Sequence, residues 1–600
     1  MKIVGSKFAA LAAIALAPLR AQEIPPAEQA TVTVTAVRRA QTVDDTLAHA
    51  TVIERAEIES TQARDLLELL RRHASVDLSR TGGPGQSTSL FLRGTNSNQV
   101  LVLIDGVRVA SSNQGSFDFA HLPLAQVERI EIVRGPRAAW WGSDAIGGVI
   151  QIFTRTPAGA AAAIRGGSLG HAEAHVAYGV GNTEAGLGIT AGVIDIDGIS
   201  AQLPGSFGFD PDLDGYRNRH LSLRGARSFG EQRLGGSVIA TDSDVDFDQG
   251  ESAVRTLSGG VSLGGPLSAT WEHFATIGHA CDQLDTPAFF SRFRSRRTSV
   301  DWQASTDHAT IGQFVLGTQW QREGGQSIDT FADEAAYDRS RRNSALFATW
   351  ARDFGAQRLE AAVRHDDNSQ FGGHTTTQLA WGWRTSERTR VYASWGEGFR
   401  APNFSELYFP GFGGDFAGNP DLDPETSRSL EAGMRFAPAA GHTIRADAWR
   451  TRIDDLVAFA GPRFSAINIR AAAIDGFELV YGWQGAAWRT RFAATWQDPR
   501  DESTGLDLPR RPHRKASGEV GYRFDGGVQI AIASESASER RDPFGELGGY
   551  TLLHATLDWP LSERWRLQIR GDNLTDRAYQ LAAGFGQPER TWLATLAYAP

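Results

Sequence analysis

The sequence predicts an all-β transmembrane barrel of about 22 antiparallel strands, preceded by a small mixed α/β domain. Three observations lead there. The chain opens on an export signal yet has no later run of about 18 apolar residues, so no helix could cross a bilayer. Lipid accepts only helices or closed barrels, because every backbone polar group must be paired inside it. From about residue 158 onward, short segments alternate apolar and polar side chains, with Gly, Asp, Asn and Pro between them. That is the two-residue period of strands with one face in lipid and one in water. Roughly 440 residues, at roughly 20 per strand and connection, give the strand number.

Taken in order, residues 1–21 read as a secretory signal: Lys2 and Lys7, then an apolar run from Phe8 to Ala17, then Ala21 before the cut. Gln22 to Gln29 is a polar, Pro-containing leader. Thr31-Val-Thr-Val-Thr-Ala-Val-Arg38 alternates strictly and lacks Pro, as an extended strand does. Ala63, Leu66, Leu67, Leu69 and Leu70 have helical spacing, which predicts a helix from Thr61 to Arg72 with Ser60 or Thr61 as its cap. Gly82-Gly-Pro-Gly85 marks a loop. Between Ser89 and Thr154 lie four β-branched or Leu-rich runs closed by Gly, with Arg93-Gly94, Asp105-Gly106 and Arg134-Gly135-Pro136 as turn punctuation. In the barrel region Leu359, Ala361 and Val363 alternate with Arg358, Glu360 and Arg364, while Trp592, Ala594, Leu596 and Tyr598 share one face.

Composition narrows the function. The chain has 600 residues, with 60 Lys+Arg against 70 Asp+Glu and a net charge of −10, and carries no basic stripe for nucleic acid. A single cysteine, Cys281, excludes a disulfide framework and a Cys-based metal site. No nucleophile–base pair or phosphate-cradling loop stands out, so the chain reads as a binding and transport protein and not an enzyme. Two acidic clusters, Asp210, Asp212 and Asp214, then Asp242, Asp244, Asp246 and Asp248, place carboxylates at spacing two. Like charges facing one way repel, and a hard cation with oxygen ligands relieves this. A solvated acidic loop is the equally open alternative. An EF-hand is excluded, because Leu221 stands where its closing Glu is needed.

The blocks from Ser89 to Thr154 resemble, in content and order, the plug domain of TonB-dependent outer-membrane transporters, a globular domain inside a large barrel. Four barrel stretches resemble the same family: Asp366-Asp-Asn-Ser-Gln-Phe371, Gly398-Phe-Arg-Ala-Pro-Asn403, Asn419-Pro-Asp-Leu-Asp-Pro-Glu425 and Asp572-Asn-Leu-Thr-Asp-Arg-Ala-Tyr579. The resemblance implies a periplasmic leader at residues 22–40, a plug at 41–157 and a barrel at 158–600. It makes Thr31, Val32, Thr33, Val34, Thr35 and Ala36 a TonB box, within about 31–38, that binds its partner by strand addition. Arg72-His-Ala-Ser-Val76 departs from the family's usual Leu-Pro-Gly-Val turn, and the terminal Tyr598-Ala-Pro600 departs from its usual aromatic end.

Within the family the likeness is greatest to the cobalamin receptors, carried by Gly-Gly-Pro-Gly-Gln-Ser-Thr-Ser from Gly82, Gly-Ser-Asp-Ala-Ile-Gly-Gly-Val from Gly142 and the Asp366 block. By that likeness Ser87, Ser89 and Asn96, with Asn113 and Gln114 in the next loop, touch a corrinoid. Asp210, Asp212, Asp214 and Asp248 match structural calcium ligands, with Asp246 added from its spacing. The implied function is TonB-dependent uptake of cobalamin or a related corrinoid across the bacterial outer membrane, whose lipid surrounds the barrel. Uptake of a ferric siderophore is the alternative. A haem receptor is disfavoured by the lack of His between Pro402 and Asn419.

Overall fold

The computed structural model describes residues 33–34, 41–182, 185–206 and 208–599. The signal, most of the leader, and Thr31, Val32, Thr35 and Ala36 of the TonB-box assignment lie outside the described residues. Among the described residues 22 strands close into one antiparallel barrel. Closure joins the first strand, Gly159–Gly167, to the last, Thr591–Tyr598, in a register running from Ala162 opposite Tyr598 to Gly167 opposite Leu593. A closed sheet leaves no edge carrying unpaired amides into lipid.

The predicted alternation is what turns each strand. On Asp214–Phe229, His220 and Ser222 are buried toward the lumen, whereas Leu221 and Leu223 face out. On Gln357–Asn368, Arg358, Arg364 and Asp366 point in and Leu359 and Val363 out. Connections are short at one rim, such as residues 230–231, 355–356 and 387–388, and long at the other, such as 401–424 and 573–590. Short periplasmic turns and long extracellular loops are the rule for such barrels, which orients the molecule.

The lumen holds a five-stranded mixed sheet, in the order Ala50–Glu54, Val127–Arg134, Gly148–Thr154, Val100–Ile104, Val107–Arg108. Val100–Ile104 is buried at all five positions and runs parallel to Gly148–Thr154. An unbroken Val/Leu/Ile run is what a strand covered on both faces needs. The Leu66–Arg71 helix packs Leu66, Leu67, Leu69 and Leu70 into the same core. Its start differs from expectation. Thr61 instead ends a separate helix, Arg55–Thr61, and Gln62 turns the chain with a left-handed φ of 52°. Asp65 then caps, its carboxylate accepting from the Glu68 amide at 2.8 Å. The predicted helix is thus shortened at its start to Leu66–Arg71, capped by Asp65 and not by Ser60 or Thr61, and a separate helix that the spacing did not predict precedes it.

Candidate substrate site and the plug–barrel contacts

Three plug loops rise toward the long-loop rim. In the first, Gly82 and Gly85 have φ of 121° and 82°. A Cβ on Gly85 would lie 2.2 Å from the Tyr216 ring, so the loop can lie flat on the barrel wall only without a side chain there. Gln86 then donates from Nε2 to the Asp246 carbonyl at 2.6 Å. The plug apex is thus tied directly to the second acidic hairpin. Ser87 is exposed, and Ser89 is half-buried in the ladder opposite Ser79.

Asp210, Asp212 and Asp214 of the first cluster gather beside this loop with Asp246 and Asp248 of the second. Asp248 accepts from the Asp210 amide at 3.0 Å and from the Gln202 amide at 3.2 Å. One oxygen of Asp214 accepts from the Ala201 amide at 2.6 Å, and its other oxygen is buried without a partner. The Asp212 carboxyl is held above the usual range, by desolvation first and then by Asp210, Asp248 and Asp246. Asp242 differs: it faces outward and pairs with Arg255 at 3.1 Å. Among the described residues the compact ligand triads lie elsewhere, one of them His49, Asp447 and Glu478.

The second loop carries Asn96, whose backbone N–H donates to Gln99 Oε1 at 2.8 Å. Its side-chain oxygen accepts from Arg511, which also donates to the Gly94 carbonyl at 2.8 Å. The third loop separates the two remaining predicted residues. Gln114 is exposed. Asn113 is fully buried, donating to the Arg294 carbonyl at 2.9 Å and accepting from the Tyr337 hydroxyl at 3.0 Å. It fastens the loop to the wall. The Phe404–Tyr408 helix caps the same loop: the Phe404 and Ser405 amides donate to the Ser112 and Asn113 carbonyls, both at 3.1 Å, and the Asn403 side chain donates to the Gln114 carbonyl at 3.0 Å. Sequence reasoning missed Arg511, Tyr337 and this helix as parts of the site. The Asn403–Glu406 capping box was the available signal for the helix.

Below the loops, motif residues of plug and barrel interlock. Arg93 reaches Glu431 at 3.0 Å and Glu478 at 2.5 Å, all three buried. His49 lies 2.5 Å from Glu478 and 3.1 Å from Asp447. Ser75, in the unusual turn, donates its hydroxyl to Glu478, and its amide donates to Thr495 Oγ1 at 2.9 Å. Gln99 donates to Glu425 at 2.7 Å, and Glu425 also pairs with Arg400 at 2.7 Å. Cations on the plug thus meet carboxylates on the wall, where low polarizability strengthens each pair and makes a lone partner costly. At the short-turn rim Asp45 pairs with Arg390 at 3.1 Å. Thr33–Val34 is paired as a short ladder with Gln41–Thr42.

Known proteins were compared with this geometry. Residues 172–574 match the family described as "TonB dependent receptor-like, beta-barrel", and residues 42–149 match "TonB-dependent Receptor Plug Domain". The chain is 32% identical over 622 residues to a protein named Vitamin B12 transporter BtuB of Vibrio vulnificus, covering 97% of each chain. It is 29% identical to a protein of the same name from Photobacterium profundum, covering 98% of this chain and 99% of that one. Among solved structures, the ferric enterobactin receptor PfeA of Pseudomonas aeruginosa superposes with a TM-score of 0.80 at 17% identity, over 95% of this chain and all of that one. The siderophore receptor PirA of Acinetobacter baumannii gives 0.78 at 16%, over 93% and 99%. At such identity these two establish the fold alone. A plug held by buried ion pairs inside a closed 22-strand barrel, with family matches to both parts, makes this chain a member of the TonB-dependent receptors, transporters of the outer membrane.

Proposed function

We propose that this receptor takes up cobalamin or a related corrinoid. The observation that carries the reading is the chemistry of the apex: Ser87, Asn96 and Gln114 offer neutral donors and acceptors on three separate loops. A corrinoid brings its own cobalt and axial ligands. It needs a broad polar surface with no metal donor from the protein. The likeness over nearly the whole chain to proteins named as vitamin B12 transporters supports the same substrate class. Equilibrium binding of cyanocobalamin to the purified protein in detergent, with calcium present, tests it. Tight binding uncontested by ferric enterobactin is expected. Absent cobalamin binding alongside tight binding of the iron chelate would replace this reading with siderophore uptake.

Calcium is proposed to order the acidic loops. The unpartnered, buried Asp214 oxygen and the raised Asp212 carboxyl are what a cation among Asp210, Asp212, Asp214, Asp246 and Asp248 would relieve. Because Gln86 links Asp246 to the plug loop, ordering these hairpins also steadies Ser87. Chelation, or Asp212→Asn with Asp248→Asn, is expected to weaken cyanocobalamin binding, since substrate must then supply the ordering free energy. Equal affinity with and without calcium would remove this role.

Energy for uptake is proposed to enter through TonB, by strand addition at Thr31–Ala36. Thr33–Val34 already has a strand partner in Gln41–Thr42, so TonB would exchange one ladder for another.

A further inference from the structure

On the outer surface, just above the lipid-facing belt, the barrel carries an arginine cluster without acidic partners. The strands are Trp271–Thr286, Ser291–His308, Gly312–Asp329 and Glu334–Phe354. Strand register places His279 beside Thr298, Thr298 beside Arg322, and Arg322 directly beside Arg342. Arg296 is opposite Gly324, diagonal to Arg322. All three arginines and His279 are exposed, and His279 is hydrogen-bonded to Thr298 at 2.8 Å. The neighbouring row toward the membrane centre is Ile277, Val300 and Trp320, each exposed on the same outer face.

Like charges directly opposite on a sheet destabilise it. Elsewhere on this barrel the chain answers such a pair with its own carboxylates. Arg428 faces Arg452, and Arg452 is neutralised by Asp454 at 3.1 Å and Glu502 at 2.9 Å. Among the described residues Arg296, Arg322 and Arg342 have no ion pair. Acids on the adjoining outer face are Asp338, held by Gln326 at 2.7 Å, and Asp367, one row down opposite Ser344; neither forms an ion pair with these arginines. Three guanidinium forks at the extracellular boundary of the apolar belt fit phosphate oxygens bidentately, while Trp320 and Val300 below suit acyl chains.

We infer that Arg296, Arg322 and Arg342, with His279 and Thr298, form a binding site for the phosphorylated headgroup of an anionic lipid in the outer leaflet. The lipid supplies the counter-charge that the protein lacks here, and it anchors this wall of the barrel at the interface.

The test is binding of diphosphoryl lipid A to the delipidated full-length protein in detergent, read by native mass spectrometry. Arg296→Gln, Arg322→Gln and Arg342→Gln combined should weaken binding at least about ten-fold. Replacement of the same three by Lys keeps the charge but loses the bidentate fork, so its loss should fall between wild type and the triple Gln variant. Arg428→Gln should change nothing, and dephosphorylated lipid should not distinguish wild type from the triple Gln variant. A cyanocobalamin-binding check on each variant reports that the barrel is intact. Equal lipid A binding by wild type and the triple Gln variant overturns the site. So does wild-type binding that ignores the phosphates.

Discussion

Glu478 is the wall carboxylate on which the plug most depends, and Glu478→Gln isolates its charge. Gln keeps the shape, so little cavity forms. Four plug groups lose an anionic partner: His49 and Arg93, both at 2.5 Å, Arg134 at 3.8 Å, and the Ser75 hydroxyl. None of these groups can move into water, since Glu478 and Arg134 are fully buried and Arg93 and His49 nearly so. Arg93 retains Glu431 at 3.0 Å, and Arg134 retains Thr51 at 2.9 Å and the Ala74 carbonyl at 2.8 Å. Removing one partner of a buried pair typically costs about 3–5 kcal/mol. The retained contacts put this case near the lower figure. Each 1.4 kcal/mol is about tenfold, so the plug's opening equilibrium should rise by roughly a hundredfold or more. Hydrogen exchange of the amides in Ala50–Glu54 and Val127–Arg134 reads that equilibrium directly. Asp242→Asn is the comparison: it breaks an exposed pair with Arg255, worth about 1 kcal/mol or less, and should leave plug exchange unchanged. Plug exchange in the Glu478 variant equal to wild type would show that the buried network does not hold the plug.

Four further substitutions have defined outcomes. Gly85→Ala forces a side chain onto the Tyr216 ring at a left-handed φ, so the apical loop should lift and cyanocobalamin affinity fall, with a stability loss of about 1–3 kcal/mol in thermal unfolding. Asn113→Ala removes the donor to the Arg294 carbonyl and one of two partners of the Tyr337 hydroxyl, which keeps Ser405 at 3.0 Å; a cost of about 1–3 kcal/mol follows, so it should raise hydrogen exchange across residues 111–116. Gln114→Leu, by contrast, should weaken substrate binding with exchange there unchanged, and the reverse pattern would exchange the two roles. Val34→Pro removes an amide donor from the segment proposed to pair with TonB, so uptake should stop while surface binding of cyanocobalamin persists; wild-type uptake would discard the TonB-box assignment.

The barrel was legible in the sequence because a strand between lipid and water imposes a local two-residue period. Leu359, Val363 and their lumen-facing neighbours show it without any knowledge of what they face. The plug blocks were legible for a related reason: Gly closes each run where the backbone must turn, and Val100–Ile104 is apolar on both faces because both are covered. Helix boundaries were less legible, since Thr61 and Asp65 are both good caps and only packing decided that each ends or begins its own helix. The apical residues divided the same way. Ser87 and Gln114 stayed exposed, whereas Asn113 was claimed by Tyr337 and Arg294, more than 180 residues downstream in sequence. Nothing near Asn113 in the chain encodes that contact. Nor did Arg322 and Arg342, twenty positions apart, signal that strand register would set them side by side on the membrane face. Periodicity is a property of one strand and can be read from it. Pairing of charges across strands, and between plug and wall, depends on register and closure, which only the folded barrel fixes.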